Sequence, residues 1–395
     1  MLLLMYLFSP DFFVRIQMNI KNRNEHMTNA ELKQHNLNQV YRLIYNQQTI
    51  AKSDIATIFN LSRPTISQFI NELEDKKLIQ KNGVAKSTGG RKPIIYSCIG
   101  DARIAIGVEL ITNQFEISAV DLYGKILYKE THHIPFVNEE RFFIQFGKLI
   151  SLFIMNNQIQ EEKILGIGIA LQGLVSYDGT KVTYGTILQN NDVTIEDFQR
   201  YLNYPLVLIH DSEAAATDAL WNSKTLHDVL FICLSQHIGG ALIVNRQIHW
   251  GSVYPSGLFE HMTIVPDGAP CYCGKKGCFE SYCSIQSLIS DLDPSLDIFF
   301  KHLSEKNPLY LIRWQQFLNH LAIAIDNLQM VINCDVVLGG PLASYFTKED
   351  LDLLTLLVEK DSAFNKGRPS IHILPDSCIS RGAALHYIEN FINTI

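Results

Sequence analysis

The chain has 395 residues, more than a single hydrophobic core sustains, so two or three domains are expected. Hydrophobic residues at 47% and charged residues at 18% exclude an intrinsically disordered chain. The net charge of −7 conceals an asymmetry: residues 1–95 hold thirteen Lys/Arg against seven Asp/Glu, a surplus of 6, so the remainder carries −13 and a basic, polyanion-binding head sits on an acidic body.

The opening stretch, MLLLMYLFSPDFFVRIQM, is apolar but has neither a basic n-region nor a clear small-residue cleavage site. Pro10 and Asp11 interrupt it before it is long enough to span a bilayer, so no membrane partner is expected. Residues 1–20 read as a start-site extension or a disordered segment, with Met18 and Met27 as alternative starts.

Residues 21–95 form the candidate DNA-binding head. Three short helical patterns follow one another between residues 36 and 80. Val40, Leu43 and Ile44 mark the first, Ile55 and Ile58 the second, and Ile66, Phe69, Ile70 and Leu73 the third. The last set falls at i, i+3, i+4 and i+7, a single apolar helix face. Ser53 and Ser62 stand where N-caps of the second and third helices belong, and Pro64 falls in the first turn, where its missing N–H costs little. Only Asn60 and Leu61 separate the second helix from the next cap, the spacing of a helix-turn-helix. Burying the apolar face leaves Arg63, Thr65, Ser67, Gln68 and Asn71 outward, able to reach phosphates and base edges in a major groove of double-stranded DNA. Two β-prone runs then flank a hairpin bearing Lys81, Lys86, Arg91 and Lys92, which reads as a wing laid along the phosphates.

From Ala102 onward apolar runs alternate with helical stretches: RIAIGVEL, FEISAVDL, ILGIGIALQGLV, PLVLIHD, VLFICL, ALIV and CDVVLGG. That alternation predicts an α/β body with mixed sheets. Within it, EHMTIVPDGAPCYCGKKGCFE carries His261, Cys271, Cys273 and Cys278 at zinc-ligand spacing, with Gly274 and Gly277 permitting the tight bend. Four protein ligands close a tetrahedron and leave no position for water, so zinc would be structural. An all-cysteine set using Cys283 in place of His261 satisfies the same chemistry. Eight cysteines, three of them proposed as zinc thiolates, fit a reducing, cytoplasmic setting better than a disulfide framework.

The cysteine loop resembles the zinc signature of the ROK family of bacterial repressors and sugar kinases, a histidine followed after nine residues by C-x-C-G-x-x-G-C-x-E. His261, Cys271, Cys273, Gly274, Gly277, Cys278 and Glu280 match it, and the resemblance favours His261 as fourth ligand. Gly89, Gly90, Arg91, Lys92 and Pro93 are similar to the run that ends the wing in the family's repressors. The resemblance implies an N-terminal winged helix-turn-helix and a two-lobed actin-like (ribonuclease H-like) body. Residues 103–212 plus 380–395 would form its first lobe and 213–379 the second, with the zinc loop. It also implies a sugar or sugar-derivative effector held by His210, Asp211, His261 and Glu280, and a homodimer or homotetramer acting on an operator.

The family's kinases use an aspartate at the position of Asp211 as catalytic base. Their first phosphate turn, Asp-x-Gly-Gly-Thr-like, is here Glu109, Leu110, Ile111 and Thr112, and their second, a Thr-Gly pair, is here Gln236 and His237. Gly339 and Gly340 remain at the adenosine turn. Phosphoryl transfer is therefore not expected, because anion binding needs accessible backbone amides, and Asp211 reads as a relic of the base. Among sugar-facing positions, His210 replaces an asparagine, Leu258 a glutamate, and Glu260 a glycine. The competing readings are an active sugar kinase and a regulator controlled by a protein such as a sugar-transport component.

Overall fold

The computed structural model describes residues 28–84, 93–251, 256–292, 295–360, 370–374 and 378–395. They divide into two compact units, one containing the residues up to Ala102 together with Glu389–Ile395, the other Arg103–Ile388.

The first unit begins with a helix over Asn29–Gln47, started by a capping box in which the Thr28 side chain accepts from the Glu31 amide and the Glu31 carboxylate accepts from Thr28 N. Strand β1 (Ile50–Ala51) leads directly into the helix Lys52–Phe59, and Ser62 caps the helix Arg63–Asp75, accepting from the Thr65 amide at 3.3 Å. Asn60 ends the second helix in the left-handed region, which lets Leu61 and Ser62 follow as a tight turn. One expectation is corrected here. Ser53 does not cap the second helix: the cap position is Ala51, because β1 pairs with the later strand at Ile50↔Tyr96 and Ala51↔Ile95 and starts the helix one residue before Ser53. Strands β2 (Ile79–Val84) and β3 (Ile94–Cys98) pair antiparallel, giving the sheet order β1-β3-β2. Leu37, Val40, Ile44, Ile55, Ile66, Phe69, Ile70 and Leu73 are all buried, and Phe391 sets its ring edge-on to Tyr41.

The second unit contains two five-stranded sheets. Strands β4 (Ile104–Ile111), β5 (Gln114–Asp121) and β6 (Ile126–His132) form an antiparallel meander, while β7 (Ile164–Leu171) and β10 (Leu206–His210) join parallel to β4, giving the order β10-β7-β4-β5-β6. The short pair β8 (Leu174–Val175) and β9 (Val182–Tyr184) stands apart. The other sheet repeats the pattern. Strands β11 (Val229–Leu234), β12 (Ile238–Val244) and β13 (Gln247–Ile248) meander, and β14 (Asp335–Gly339) and β15 (Ile371–Leu374) join parallel, in the order β13-β12-β11-β14-β15. The helix Glu140–Asn156 buries Phe142, Phe146 and Phe153 against the first sheet. The helix Pro308–Val331 does the same for the second with Trp314, Phe317 and Leu321.

The helix Ile379–Thr394 contributes its residues from Glu389 to the first unit, where Phe391 meets Tyr41, and its earlier residues to the second. Its earlier turns press onto the sheet at glycines. A Cβ on Gly107 would lie 1.7 Å from the Ser380 carbonyl oxygen, and one on Gly168 would lie 2.2 Å from that of Ala383. Arg381 and the fully buried Asp218 pair through two hydrogen bonds, Nε to Oδ1 and Nη2 to Oδ2. Gly107→Ala forces backbone atoms apart and is expected to destabilise the protein by about 1–3 kcal/mol or more. Urea unfolding, followed by intrinsic fluorescence, checks this; an unchanged midpoint would contradict the packing.

Candidate functional site

In sheets of mixed direction, ligand sites form beyond the carboxyl ends of the parallel strands, where strand order reverses. Here β7 ends at Leu171, β10 ends at His210 and β12 begins at Ile238, and a cleft open to solvent lies beside them. His210, Asp211, His237, Leu258, Glu260 and His261 all line it.

Asp211 is the first residue of the helix Asp211–Asn222 that follows β10. Its Oδ1 accepts from the Ser212 amide at 2.8 Å and lies 3.3 Å from His210 Nε2. The other nitrogen of the buried His210, Nδ1, is 2.8 Å from Ser212 Oγ. Burial holds the His210 pKa below its ordinary value, with Asp211 opposing, so the ring is a neutral hydrogen-bonding group.

The cysteine loop brings the next group. His261, in the helical turn Phe259–His261, meets Cys271, Cys273 and Cys278 with all four ligand atoms within 4.8 Å of one another. The Cys271 Sγ to His261 Nδ1 distance is 3.6 Å and Cys273 Sγ to Cys278 Sγ is 3.8 Å. Tetrahedral zinc with ordinary bond lengths sets such edges at about 3.5 Å for nitrogen to sulfur and about 3.8 Å for sulfur to sulfur. The donor set therefore fits the metal. Burial and the neighbouring thiols hold Cys278 up to about 12, a cost that a bound dication removes. Burial keeps the His261 imidazole neutral, as a ligand must be. Gly277 takes φ 75° and a Cβ there would strike the Val265 carbonyl oxygen at 1.7 Å. Cys283 stands elsewhere: it is buried in the core of the second sheet, with Sγ directed at the Phe317 carbonyl oxygen at 3.7 Å. The same loop places Tyr272 between two rings of the cleft, 5.1 Å from His261 and 5.3 Å from His237.

Glu280 opens the short helix after the last cysteine of the loop. Its Oε1 accepts from His237 Nδ1 at 2.7 Å and its Oε2 from the Ile238 amide at 2.7 Å. The turn between β11 and β12 is thereby tied down, and an amide that could face an anion is already committed. Glu260, also buried, has its pKa pushed up to about 8 by burial, with the Glu280 and Asp211 carboxylates adding to the effect.

At the end of β4, Glu109 lies opposite Glu116 across the β4–β5 ladder. Glu116 is held by Lys129 at 2.8 Å and by the Ser380 hydroxyl at 2.7 Å. Burial first, then Glu116 and Asp211, raise the Glu109 carboxyl to about 7. Two carboxyl groups thus face each other near the end of β4, inside the ladder. Gly340 takes φ 86°, and a Cβ there would come within 2.7 Å of the Leu234 carbonyl oxygen, so close strand packing accounts for it.

In the first unit Arg63, Gln68 and Asn71 are exposed and Thr65 and Ser67 partly so, on the face opposite the buried one. Lys86, Arg91 and Lys92 lie outside the described residues. Sequence reasoning missed the engagement of Glu280 by His237, and Tyr184 and Tyr272 in the cleft wall. Tyr272 sits inside the cysteine motif, but only the loop's path turns it toward His237. No helix of the described residues is long and apolar enough to cross a membrane.

Residues 105–347 match the profile of the ROK family. The xylose repressor of Caldicellulosiruptor bescii is 22% identical over 354 residues, covering 84% of this chain and 89% of the relative. A crystal structure of a ROK family transcriptional regulator, a homolog of the E. coli MLC protein, superposes with TM-score 0.74 at 19% identity, covering 92% of this chain and 97% of that one. A ROK family glucokinase from Streptomyces griseus, solved with glucose and AMPPNP, superposes with TM-score 0.61 at 19% identity, covering 72% of this chain and 98% of its own.

Two outcomes are expected. Because the folded Glu109 keeps a proton that the unfolded chain releases, its contribution to stability falls as pH rises from about 4.5 to about 7. Glu109→Gln removes that loss, so it is more stable than wild type at pH 8 by up to about 3 kcal/mol and nearly equal to it at pH 4; denaturation curves at the two values check this. Elemental analysis is expected to find about one zinc per chain, with Cys271→Ser, Cys273→Ser or Cys278→Ser lowering both metal content and melting temperature. Full folding after complete chelation would count against the metal.

Proposed function

The chain belongs to the ROK family, and from that membership we propose that it is a sugar-responsive, DNA-binding transcriptional repressor of carbohydrate genes. The observation that carries the reading is the first unit: Arg63–Asp75 buries Ile66, Phe69, Ile70 and Leu73 and leaves Arg63, Gln68 and Asn71 exposed, after a turn of helix-turn-helix length. With the β2–β3 hairpin it makes a winged helix-turn-helix. Gln68 and Asn71 then read base edges while Arg63, Thr65 and Ser67 reach the backbone, and Lys86, Arg91 and Lys92 extend the contact to phosphates. The alignment to a xylose repressor across 84% of this chain supports the same reading.

In the body, Asp211, His210 and His261 would take a sugar or sugar-derivative effector through its hydroxyls, with the family's expectation adding Glu280. His261, Cys271, Cys273 and Cys278 would hold a structural zinc, which crosslinks the loop carrying Tyr272 and supplies no open position for chemistry. Effector binding shifts the equilibrium between body conformations and, in a homodimer or homotetramer, the spacing of the heads on a pseudo-palindromic operator. A sugar kinase is the second reading, favoured by the glucokinase-like fold and by Asp211 at the end of β10. Against it stand Glu109 at the first phosphate turn and the Ile238 amide given to Glu280 at the second.

Selection from a random duplex library with the full chain is expected to enrich one pseudo-palindromic sequence. Gln68→Ala or Asn71→Ala should relax that preference by about 1–3 kcal/mol, whereas Arg91→Ala should weaken all sequences and lower the salt slope by about one. A sugar should release the DNA, Asp211→Ala should abolish that response while retaining DNA binding, and ATP should do nothing. Sugar-dependent ATP consumption at enzyme-like rates would overturn the repressor reading.

A further inference from the structure

Glu280 is the carboxylate that the sequence pattern offers to a ligand, yet both of its oxygens are engaged, by His237 Nδ1 and by the Ile238 amide, and it is not among the residues lining the cleft. Glu260 is the opposite case. It lines the cleft, is only 8% exposed, and its Oε2 is buried without a hydrogen-bond partner among the described residues. Native interiors rarely leave such an atom unsatisfied, and a ligand hydroxyl supplies what it lacks. Leu258, two residues earlier, also lines the cleft and offers no polar atom beyond its backbone, so Glu260 is the carboxyl group this turn presents.

The charge of the wall bears on the ligand. Among the described residues no lysine or arginine lines the cleft, whereas Asp211 and Glu260 both do. A phosphate ester would enter without a counter-charge, beside carboxyl groups, while a neutral polyol meets hydrogen-bonding side chains and the apolar faces of Leu258 and Tyr272.

We propose that Glu260, in place of Glu280, is the carboxyl group that hydrogen-bonds a ligand hydroxyl in this cleft, and that the ligand is an unphosphorylated, neutral sugar. The inference rests on the effector reading above, and Glu280 becomes a positioning residue that holds His237 and the β11–β12 turn.

The test uses the zinc-replete full chain, thermal shift and titration calorimetry, and a panel of xylose, glucose and N-acetylglucosamine with their phosphate esters. At least one neutral sugar is expected to raise the melting temperature while its phosphate does not. Glu260→Ala is expected to weaken that sugar roughly tenfold or more, to bind DNA normally, and to melt without sugar no lower than wild type, since the orphan oxygen is gone. Glu260→Gln, which keeps a hydrogen-bonding amide, recovers part of the affinity and serves if the alanine variant fails to fold. Unchanged sugar affinity in both variants overturns the role of Glu260 alone, and a phosphate ester that binds more tightly than its parent sugar overturns the ligand class alone. Silence of the whole panel, with DNA binding intact, overturns the inference together with the effector reading.

Discussion

The Glu280 carboxylate ties the cysteine loop to the turn between the first two strands of the second sheet. It follows Cys278 by two residues, and its oxygens accept from the His237 ring and the Ile238 amide. Both bonds are charge-assisted and lie in a desolvated place, where such bonds are strong and their geometry is well determined. One consequence is that the β11–β12 turn presents its amide to the protein instead of to an anion. Another is that the four-donor cluster, Tyr272 and His237 are positioned as one assembly, so order in the loop becomes order in the cleft wall.

Around that link the body repeats one strand order, a three-stranded meander extended by two parallel strands, in both of its sheets. Such a frame brings the carboxyl ends of β7 and β10 and the start of β12 to one cleft whatever side chains they carry. Chemistry is then decided locally, which is why glucokinase-like architecture does not by itself make this chain a kinase. Glu109 faces Glu116 near the end of β4 and is close enough to Asp211 to feel its charge. The tight seating of the C-terminal helix on Gly107 and Gly168 holds Ser380 against Glu116 and completes that acidic corner.

Much of this was legible in the sequence by itself. Helix periodicity, the Ser62 cap and Pro64 defined the Arg63–Asp75 helix and its exposed face, because local spacing and capping are properties of neighbouring residues. The histidine and three cysteines identified the metal-type cluster for the same reason: ligand chemistry is carried by residue type and spacing. Only the tertiary structure places His261 beside Cys271, Cys273 and Cys278 and buries Cys283 apart from them, against Phe317. It also moved the second helix's start from Ser53 to the end of β1 through strand pairing with β3, and it divided the C-terminal helix between two units. That Glu280 is engaged while Glu260 keeps an unpartnered oxygen was out of reach as well, since the first depends on His237, 43 residues away along the chain, and hydrogen-bond partners at that separation leave no periodic trace for a linear reading to find.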